Sequence, residues 1–218
     1  MSSIKRQAPV LFLIGGIPCL LGITVHRLLT QPWPPHWVTL VVAGIYLGWL
    51  LAEAGITMRE PKKEEATDDR SSLGLYATAR CATVLGTVLS PPMEGTVSVR
   101  WVLVVAGVTI MILGVGLRLA AIRKLAATYS HSVRIPSDGI VRSGVYRYLR
   151  HPAYTGMVLG NLGFVVALAS PWGMAALLGL LLPAVTYRIL VEESLLRSML
   201  PGYRDFAKAR KRFIPFLW

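Results

Sequence analysis

The amino-acid sequence predicts an all-α protein, a polytopic transmembrane helical bundle of about six spans. Of the 218 residues, 54% are hydrophobic and only 16% are charged, whereas a soluble domain carries roughly 25% charged residues. The mean hydropathy is +0.55, and the charges cluster, which leaves long uncharged stretches. A helix needs about 20 mostly apolar residues to cross the hydrocarbon layer. Segments of about that length are Pro9–Leu29, Trp37–Met58, Leu73–Leu89, Val97–Leu119, Ala153–Ala169 and Trp172–Leu190.

The first four predicted spans are separated by short or polar connections. Lys5 and Arg6 precede the first apolar run, as in a signal peptide, but no small-residue cleavage pattern follows, so we expect a retained span. Residues 30–36 contain three prolines, which break a helix. Residues 59–71 are hydrophilic with charges of both signs, and the third connection opens on two prolines. Each connection therefore ends one span before the next begins.

The last two spans are predicted to form a tight hairpin, because only Ser170 and Pro171 separate them. The hairpin brings two further segments together. Residues 120–152 are basic and rich in Gly, Ser and Tyr, and residues 191–218 have polar faces with several aromatic side chains. A basic, aromatic-bearing segment beside a bilayer is often only an interfacial anchor. The alternative is that the two segments form a site together.

Basic residues are distributed asymmetrically along the chain. With the N-terminus inside, the inner segments hold nineteen lysines and arginines, and the outer connections hold only Arg27 and Arg100. The positive-inside rule then predicts that both termini are cytoplasmic. The same flanks account for the net charge of +12, so we expect membrane lipids as partners and no nucleic acid. Cys19 and Cys81 lie in apolar stretches and indicate neither a disulfide nor a metal site.

Two ionisable residues are expected at membrane depth, where charges are expensive. Glu53 precedes the inner end of the second span, and Arg80 lies seven residues into the third. Because these helices are sequential and antiparallel, both side chains come to roughly 8–10 Å from the inner boundary. We predict that Glu53 and Arg80 form a pair, with a structural role favoured over a role in substrate binding.

A second charged pair stands at the end of the last span. Arg188 and Glu192 are four residues apart, so they share one face of a helix. They could form a helix-end salt bridge worth a few tenths of a kcal/mol. Glu193 adds another carboxylate, and the two glutamates equally fit a ligand site. Position alone leaves both interpretations open.

A longer pattern runs through the last 90 residues or so. The segment Asp138–Gly156 ends in the motif His-Pro-x-Tyr-x-Gly, and Arg188 with the paired glutamates follows roughly 35 residues later. Tyr203, Phe206 and a terminal Arg-Phe-Ile-Pro-Phe run come next. In order and spacing, this pattern closely resembles the isoprenylcysteine carboxyl methyltransferase family.

The resemblance implies a membrane methyltransferase that uses S-adenosyl-L-methionine in a pocket on the cytoplasmic side. It divides the chain into N-terminal transmembrane helices, residues 1–119, and a cofactor-binding region with the helical hairpin, residues 120–218. The lipophilic acceptor enters from the bilayer and carries an isoprenylcysteine-like carboxylate, or is another lipid or isoprenoid. By matching positions, Arg188 is the acceptor-binding and catalytic residue. The matching positions for the cofactor are His131, Asp138, Gly139, Ile140, Val141, Tyr146, His151, Pro152, Ala153, Tyr154 and Glu192.

The residue types are compatible with these roles, although His131 differs in type from the residue the family has there. Gly139 allows close approach of backbone to a ligand, and Pro152 pre-sets the first turn of a helix. The backbone amides at that helix start could receive the cofactor's carboxylate. Tyr146 and Tyr154 offer flat faces to adenine or to the cationic sulfonium. Glu192 could accept hydrogen bonds from the ribose or the ammonium group, and no metal is expected.

Three rival interpretations make different demands on the sequence. A phospholipid N-methyltransferase would need a base for its amine acceptor, and the sequence names none clearly. Membrane sterol reductases that use NADPH have a similar turn, but with Asn before the Tyr and an acidic residue after the Gly. Here those positions hold Ala153 and Met157, which disfavours reduction. A transporter or scaffold predicts polar residues at mid-membrane in several spans, and only Glu53 and Arg80 were expected there.

Overall fold

The computed structural model describes residues 20–22, 24–31, 33–57, 71–91, 93–125, 140–208 and 210–212. Within these ranges the regular elements are helices, apart from one isolated β-bridge. The first helix, α1, covers residues 20–22 and 24–30. The others are α2 (His36–Thr57), α3 (Ser72–Leu89), α4 (Val97–Leu125), a 3₁₀ turn (Gly144–Arg147), α5 (Pro152–Ala167), α6 (Pro171–Ala176), a π-helical segment (Leu177–Leu181), α7 (Leu182–Met199) and α8 (Tyr203–Lys208).

Four of the described helices are long and apolar enough to cross a membrane, namely α2, α3, α4 and the continuous helix Pro171–Met199. The shorter α5 has 16 residues, and residues 9–19 of the predicted first span lie outside the described part of the chain. The predicted all-α membrane fold is thus confirmed.

Two of the helices continue beyond the ends that the sequence predicted for their spans. Helix α4 continues past Leu119 to Leu125, and the last helix continues past Leu190 to Met199. Between residues 184 and 200 the sequence has neither Gly nor Pro, so nothing ends the helix before Pro201. Glu192 and Glu193 therefore lie on a helix instead of in a tail.

The last helix changes its winding near Pro183. The π-helical segment Leu177–Leu181 immediately precedes this proline. Proline has no backbone N–H, so it cannot make the regular hydrogen bond to the carbonyl four residues earlier. In membrane helices, a local π-helical adjustment is one way in which the backbone groups freed by a proline are satisfied again. The helix therefore continues across the proline without ending.

Helices α4 and α5 are in backbone contact. A Cβ added to Gly163 would lie 2.2 Å from the Met111 nitrogen, and one added to Gly114 would lie 2.3 Å from the Gly160 nitrogen. Small residues at such spacings let membrane helices approach closely. Twelve of the sixteen residues of α5 are buried, which makes α5 the central helix of the bundle.

The predicted hairpin of the last two spans is confirmed. Helix α5 ends at Ala167 and α6 begins at Pro171. The Ser170 side chain accepts a hydrogen bond from the Gly173 amide at 2.9 Å, which caps the new helix. The chain therefore reverses within three residues.

Arg27 is buried, although the sequence placed it in an outer connection. Its side chain is 1% exposed and donates to backbone carbonyls where α3 and α5 end. These are the carbonyls of Thr87 (3.0 Å), Val88 (3.3 Å), Ser90 (3.3 Å) and Leu168 (3.2 Å). Cations are favourable beside the unsatisfied carbonyls of a helix C-terminus, and this explains the burial.

The predicted pair of Glu53 and Arg80 is confirmed. The Arg80 Nη1 lies 3.1 Å from Glu53 Oε2. The prediction missed a third member, because Arg118 was counted among the inner basic residues. Arg118 is buried in α4 and donates through Nε to Glu53 Oε1 and through Nη1 to the Ala153 carbonyl at 3.0 Å. The cluster therefore connects α2, α3 and α4 to the first turn of α5.

A further buried polar residue was missed by the sequence analysis. Asn161 of α5 is fully buried. Its Oδ1 accepts from the Tyr46 hydroxyl at 3.0 Å, and its Nδ2 donates to the Met157 carbonyl at 2.8 Å. Polar groups at membrane depth are therefore more numerous than the two that were expected.

Tryptophans gather at the end of the bundle where α2 and α4 begin. The rings of Trp33 and Trp101 are 5.5 Å apart and edge-to-face, and those of Trp37 and Trp101 are 5.9 Å apart and stacked. Trp37 is largely exposed. Aromatic side chains of this kind typically mark a membrane–water interface.

Candidate functional site

The opposite end of the bundle, where α5 begins and α7 ends, collects most of the described candidate residues. The 3₁₀ turn Gly144–Arg147 opens with Gly144 at φ +62°, a conformation that favours glycine. Pro152 occupies the first turn of α5, where a proline needs no amide partner. The motif thus turns the chain directly into the central helix.

The loop before α5 and the chain after α7 are joined through their backbones. The Arg150 amide donates to the Lys211 carbonyl at 2.9 Å, and the His151 amide donates to the Arg212 carbonyl at 3.1 Å. Leu149 and Lys211 form the isolated parallel bridge. The predicted meeting of these two segments is confirmed.

Glu193 lies at the centre of this junction. Its carboxylate is 2.8 Å from Arg150, 2.7 Å from Arg197 and 3.0 Å from Arg212, and the side chain is buried. A buried charge is tolerated when it is paired and hydrogen-bonded. Glu193 therefore links the loop, α7 and the C-terminal chain, and we call these four residues the Glu193 clasp.

A chain of hydrogen bonds runs across the same end of the bundle. Arg188 Nη1 donates to Ser72 Oγ at 3.0 Å, and Arg188 Nε donates to the Tyr154 hydroxyl at 2.9 Å. That hydroxyl donates to Glu192 Oε2 at 2.8 Å. The Arg188 guanidinium is also 6.0 Å from the centre of the Tyr76 ring. Arg188 and Glu192, four residues apart on α7, are thus connected through Tyr154.

His151 lies between the two glutamates. Its Nδ1 is 3.8 Å from Glu192 Oε1, and its Nε2 is 3.5 Å from Glu193 Oε1. The side chain is buried and does not cap α5. His151 Nε2 forms no hydrogen bond with any described residue, so the imidazole lies beside the two carboxylates without that nitrogen being satisfied.

Other predicted cofactor residues are placed at the edge of this arrangement. Ile140 packs against the cluster formed by α8 and the end of α7, and Val141 packs beside Tyr146 and Ala153. The Tyr146 ring is buried against Ala121 of α4, so it anchors the loop. The predicted residues His131, Asp138 and Gly139 lie outside the described residues.

The backbone amides at the start of α5 are less available than expected. Those of Tyr154 and Thr155 donate to the His151 carbonyl at 3.1 and 3.2 Å. The amides were proposed as the receptor for a carboxylate, but a first turn closed in this way leaves fewer donors for a ligand.

Helix α3 also contributes to this end of the bundle, which the motifs of the sequence did not predict. Ser72, Tyr76 and Arg80 recur at intervals of four and are all buried, so they lie along one face of α3. Of these three residues, the sequence predicted a role only for Arg80. The spacing of four between the three polar residues is the signal in the sequence that predicts a polar face on α3.

Tyr203 belongs to the chain after α7 and lies in a small apolar cluster with Leu196 and Phe206. Burial raises the pKa of the Tyr203 phenol well above its usual value, and the nearby Glu193 and Glu192 raise it further. Tyr203 is neutral at physiological pH, as an ordinary tyrosine is, and its buried hydroxyl forms no hydrogen bond with a described residue.

A family model matches the part of the chain that contains the loop before α5, Tyr154, Arg188 and both glutamates, but neither α3 nor the chain after α7. Residues 106–198 match the sequence model of the isoprenylcysteine carboxyl methyltransferase (ICMT) family. The resemblance that the motifs indicated is therefore confirmed over this region.

Curated relatives have similar names. Protein-S-isoprenylcysteine O-methyltransferase B of Arabidopsis thaliana is 27% identical over 146 residues, which cover 65% of this chain and 74% of the relative. The probable protein-S-isoprenylcysteine O-methyltransferase of Oryza sativa subsp. indica is 28% identical over 54% of this chain. The matched residues span 63% of the rice protein's length.

A solved structure has the same fold. The eukaryotic intramembrane Ras methyltransferase ICMT superimposes with a TM-score of 0.56 at 22% sequence identity. The match covers 91% of this chain and 74% of that chain. The likeness extends beyond residues 106–198 and includes the N-terminal helices.

Proposed function

We propose that this protein is an integral membrane carboxyl O-methyltransferase that transfers a methyl group from S-adenosyl-L-methionine to a lipophilic carboxylate. The acceptor class is an S-isoprenylated cysteine or a similar lipid acid, entering from the bilayer. The observation that carries the proposal is the hydrogen-bonded series Arg188–Tyr154–Glu192, which lies where the loop and the C-terminal chain meet.

The residues at this end of the bundle fit the cofactor. The Glu192 side chain is 26% exposed, and its carboxylate can accept hydrogen bonds from ribose hydroxyls or from an ammonium group. Tyr154 is partly exposed beside it and offers an aromatic face to a cation. Glu192 and Tyr154 would hold the cofactor, with the loop before α5 as its rim.

Arg188 is suited to hold the acceptor. A planar guanidinium binds a carboxylate with two parallel hydrogen bonds, and Ser72 and Tyr154 fix the orientation of this one. A carboxylic acid with an ordinary pKa is ionised near neutral pH, so no general base is needed. When bound, S-adenosylmethionine supplies an electrophilic methyl group, which the acceptor oxygen takes as the sulfonium becomes a thioether. The protein then contributes orientation and exclusion of water.

The rival activities are disfavoured by the same geometry. An amine acceptor, as in phospholipid N-methylation, would place a second cation or its precursor against Arg188 and would need a base. A reductase would need the acidic residue after the motif glycine, and Met157 at that position is fully buried among apolar side chains.

We also propose that the bundle has six spans with both termini in the cytoplasm, so that the site opens to the inner leaflet. The excess of basic residues on that side supports this orientation.

The test uses the full-length protein purified in detergent. We expect S-adenosylhomocysteine, and not NADPH, to raise its Tm. With radiolabelled S-adenosylmethionine, we expect methyl transfer to N-acetyl-S-farnesylcysteine and none to its preformed methyl ester or to phosphatidylethanolamine. Glu192→Gln should weaken S-adenosylhomocysteine binding, and Arg188→Lys should reduce turnover with little change in that binding. Stabilisation by NADPH alone, or transfer only to the amine, would refute the proposal.

A further inference from the structure

Tyr76 of α3 has a buried hydroxyl that forms no hydrogen bond with any residue the structure describes. Its side chain is 7% exposed. Buried polar groups are nearly always satisfied, because leaving one unpaired costs free energy. An unpaired donor that nonetheless stays in the interior is a reason to look for a ligand.

The surroundings of Tyr76 indicate what that ligand is. The guanidinium of Arg188 lies 6.0 Å from the centre of the Tyr76 ring. Ser72, one helical turn earlier on the same face of α3, accepts a hydrogen bond from Arg188 Nη1. Two residues of α3 thus lie beside Arg188, which we propose to hold the acceptor's carboxylate.

We propose that Tyr76 is an acceptor-binding residue, whose hydroxyl donates a hydrogen bond to the carboxylate held by Arg188. The inference rests on the proposed function and adds α3 to its acceptor site. A phenol donor beside a guanidinium recognises an anionic oxygen and gains much less from a neutral ester. The pair therefore favours the acid over the methylated product and assists product release.

Tyr76→Phe tests this directly, because it removes the hydroxyl and keeps the ring against Arg188. A hydrogen bond to a charged group contributes roughly tenfold or more to affinity. We expect the KM for N-acetyl-S-farnesylcysteine to rise about tenfold or more, with unchanged affinity for S-adenosylhomocysteine. Binding of the methyl ester should be the same in both proteins.

Thermal stability separates a ligand role from a structural one. Removing an unpaired buried hydroxyl relieves its desolvation cost, so the Tm of ligand-free Tyr76→Phe should be unchanged or higher. Tyr46→Phe is the structural control, since the Tyr46 hydroxyl accepts from Arg80 at 3.1 Å and donates to Asn161, and its Tm should fall. Tyr187→Phe is the surface control, since Tyr187 is 40% exposed on α7. Neither its KM for N-acetyl-S-farnesylcysteine nor its ligand-free Tm should change.

The outcomes that overturn the inference are distinct from failure of the proposed function. An unchanged KM in Tyr76→Phe, or a fall in its ligand-free Tm with equal loss of cofactor and acceptor affinity, refutes the role of Tyr76. If the wild-type protein transfers no methyl group, the proposed function fails. Tyr76 is then judged by whether the Tm shift produced by N-acetyl-S-farnesylcysteine is smaller in Tyr76→Phe. Absence of that shift in the wild-type protein also refutes the inference.

Discussion

At the scale of residues, the two adjacent glutamates of α7 have different surroundings. Glu193 is buried and neutralised by the arginines of the clasp, whereas Glu192 keeps an exposed edge and contacts Tyr154. Successive residues of a helix point about 100° apart. One carboxylate therefore faces the junction of loop and tail, and the other faces the proposed cofactor site.

Tyr154 is the residue that connects the two proposed halves of the site, because its hydroxyl accepts from Arg188 and donates to Glu192. Hydrogen bonds to charged groups contribute about 1.5–3 kcal/mol. We expect Tyr154→Phe to lower kcat/KM by roughly 10- to 100-fold. Steady-state kinetics at several concentrations of acceptor and cofactor measure the effect.

The control for Tyr154→Phe is Tyr148→Phe. Tyr148 lies in the loop before α5, six residues from Tyr154, but is 67% exposed. Loss of its hydroxyl should therefore leave kcat/KM unchanged. Equal kinetics for Tyr154→Phe and the wild-type protein would mean that Arg188 and Glu192 act independently of each other.

At the scale of elements, the close contact of α4 and α5 positions the site. Arg118 of α4 holds the Ala153 carbonyl in the first turn of α5, and the glycines let the two helices approach closely enough for this bond. The hydrogen bond from Arg118 thereby fixes the position of the first turn of α5, which carries the His-Pro-x-Tyr-x-Gly motif.

Gly163→Ala tests this contact, since the added Cβ would lie 2.2 Å from the Met111 nitrogen and 2.5 Å from the Gly107 oxygen. Both neighbours are backbone atoms, so the helices must separate. Overpacking of this kind costs typically about 1–3 kcal/mol, and we expect a lower Tm in detergent.

Gly116→Ala is the matched control on α4, because nothing lies within 4 Å of a Cβ added there. Its Tm should equal or slightly exceed that of the wild-type protein, as alanine is the better helix former. If Gly163→Ala were as stable as Gly116→Ala, the α4–α5 contact would not be as close as described.

At the scale of the whole molecule, the bundle has two chemically different ends. Tryptophans occupy the end where α2 and α4 begin, and the Glu193 clasp with its arginines occupies the other. Orientation in the membrane decides which compartment the proposed cofactor site faces.

Cysteine labelling in intact cells tests the orientation. In a background with Cys19→Ala and Cys81→Ser, a single cysteine is introduced by Glu94→Cys or by Arg204→Cys, both exposed positions at opposite ends of the bundle. A membrane-impermeant maleimide should label Glu94→Cys in intact cells and Arg204→Cys only after permeabilisation. The reverse pattern would place the site outside.

The sequence by itself determined the membrane class and the order of the helices, and it singled out Arg188, Tyr154 and Glu192 as candidate site residues. Hydrophobic length, breaks at prolines and a motif with defined spacing are local properties of the chain. The pairing of Glu53 with Arg80 also followed from the sequence. The two residues lie at a similar depth in the membrane, and sequential antiparallel helices place such residues next to each other.

Only the tertiary structure decided how the two glutamates divide their contacts, that Arg118 completes the buried cluster, and that α3 reaches Arg188 through Ser72 and Tyr76. Ser72 and Arg188 are 116 residues apart, and no local pattern specifies such a contact. Helix packing specifies it, because close approach at small residues fixes which faces meet.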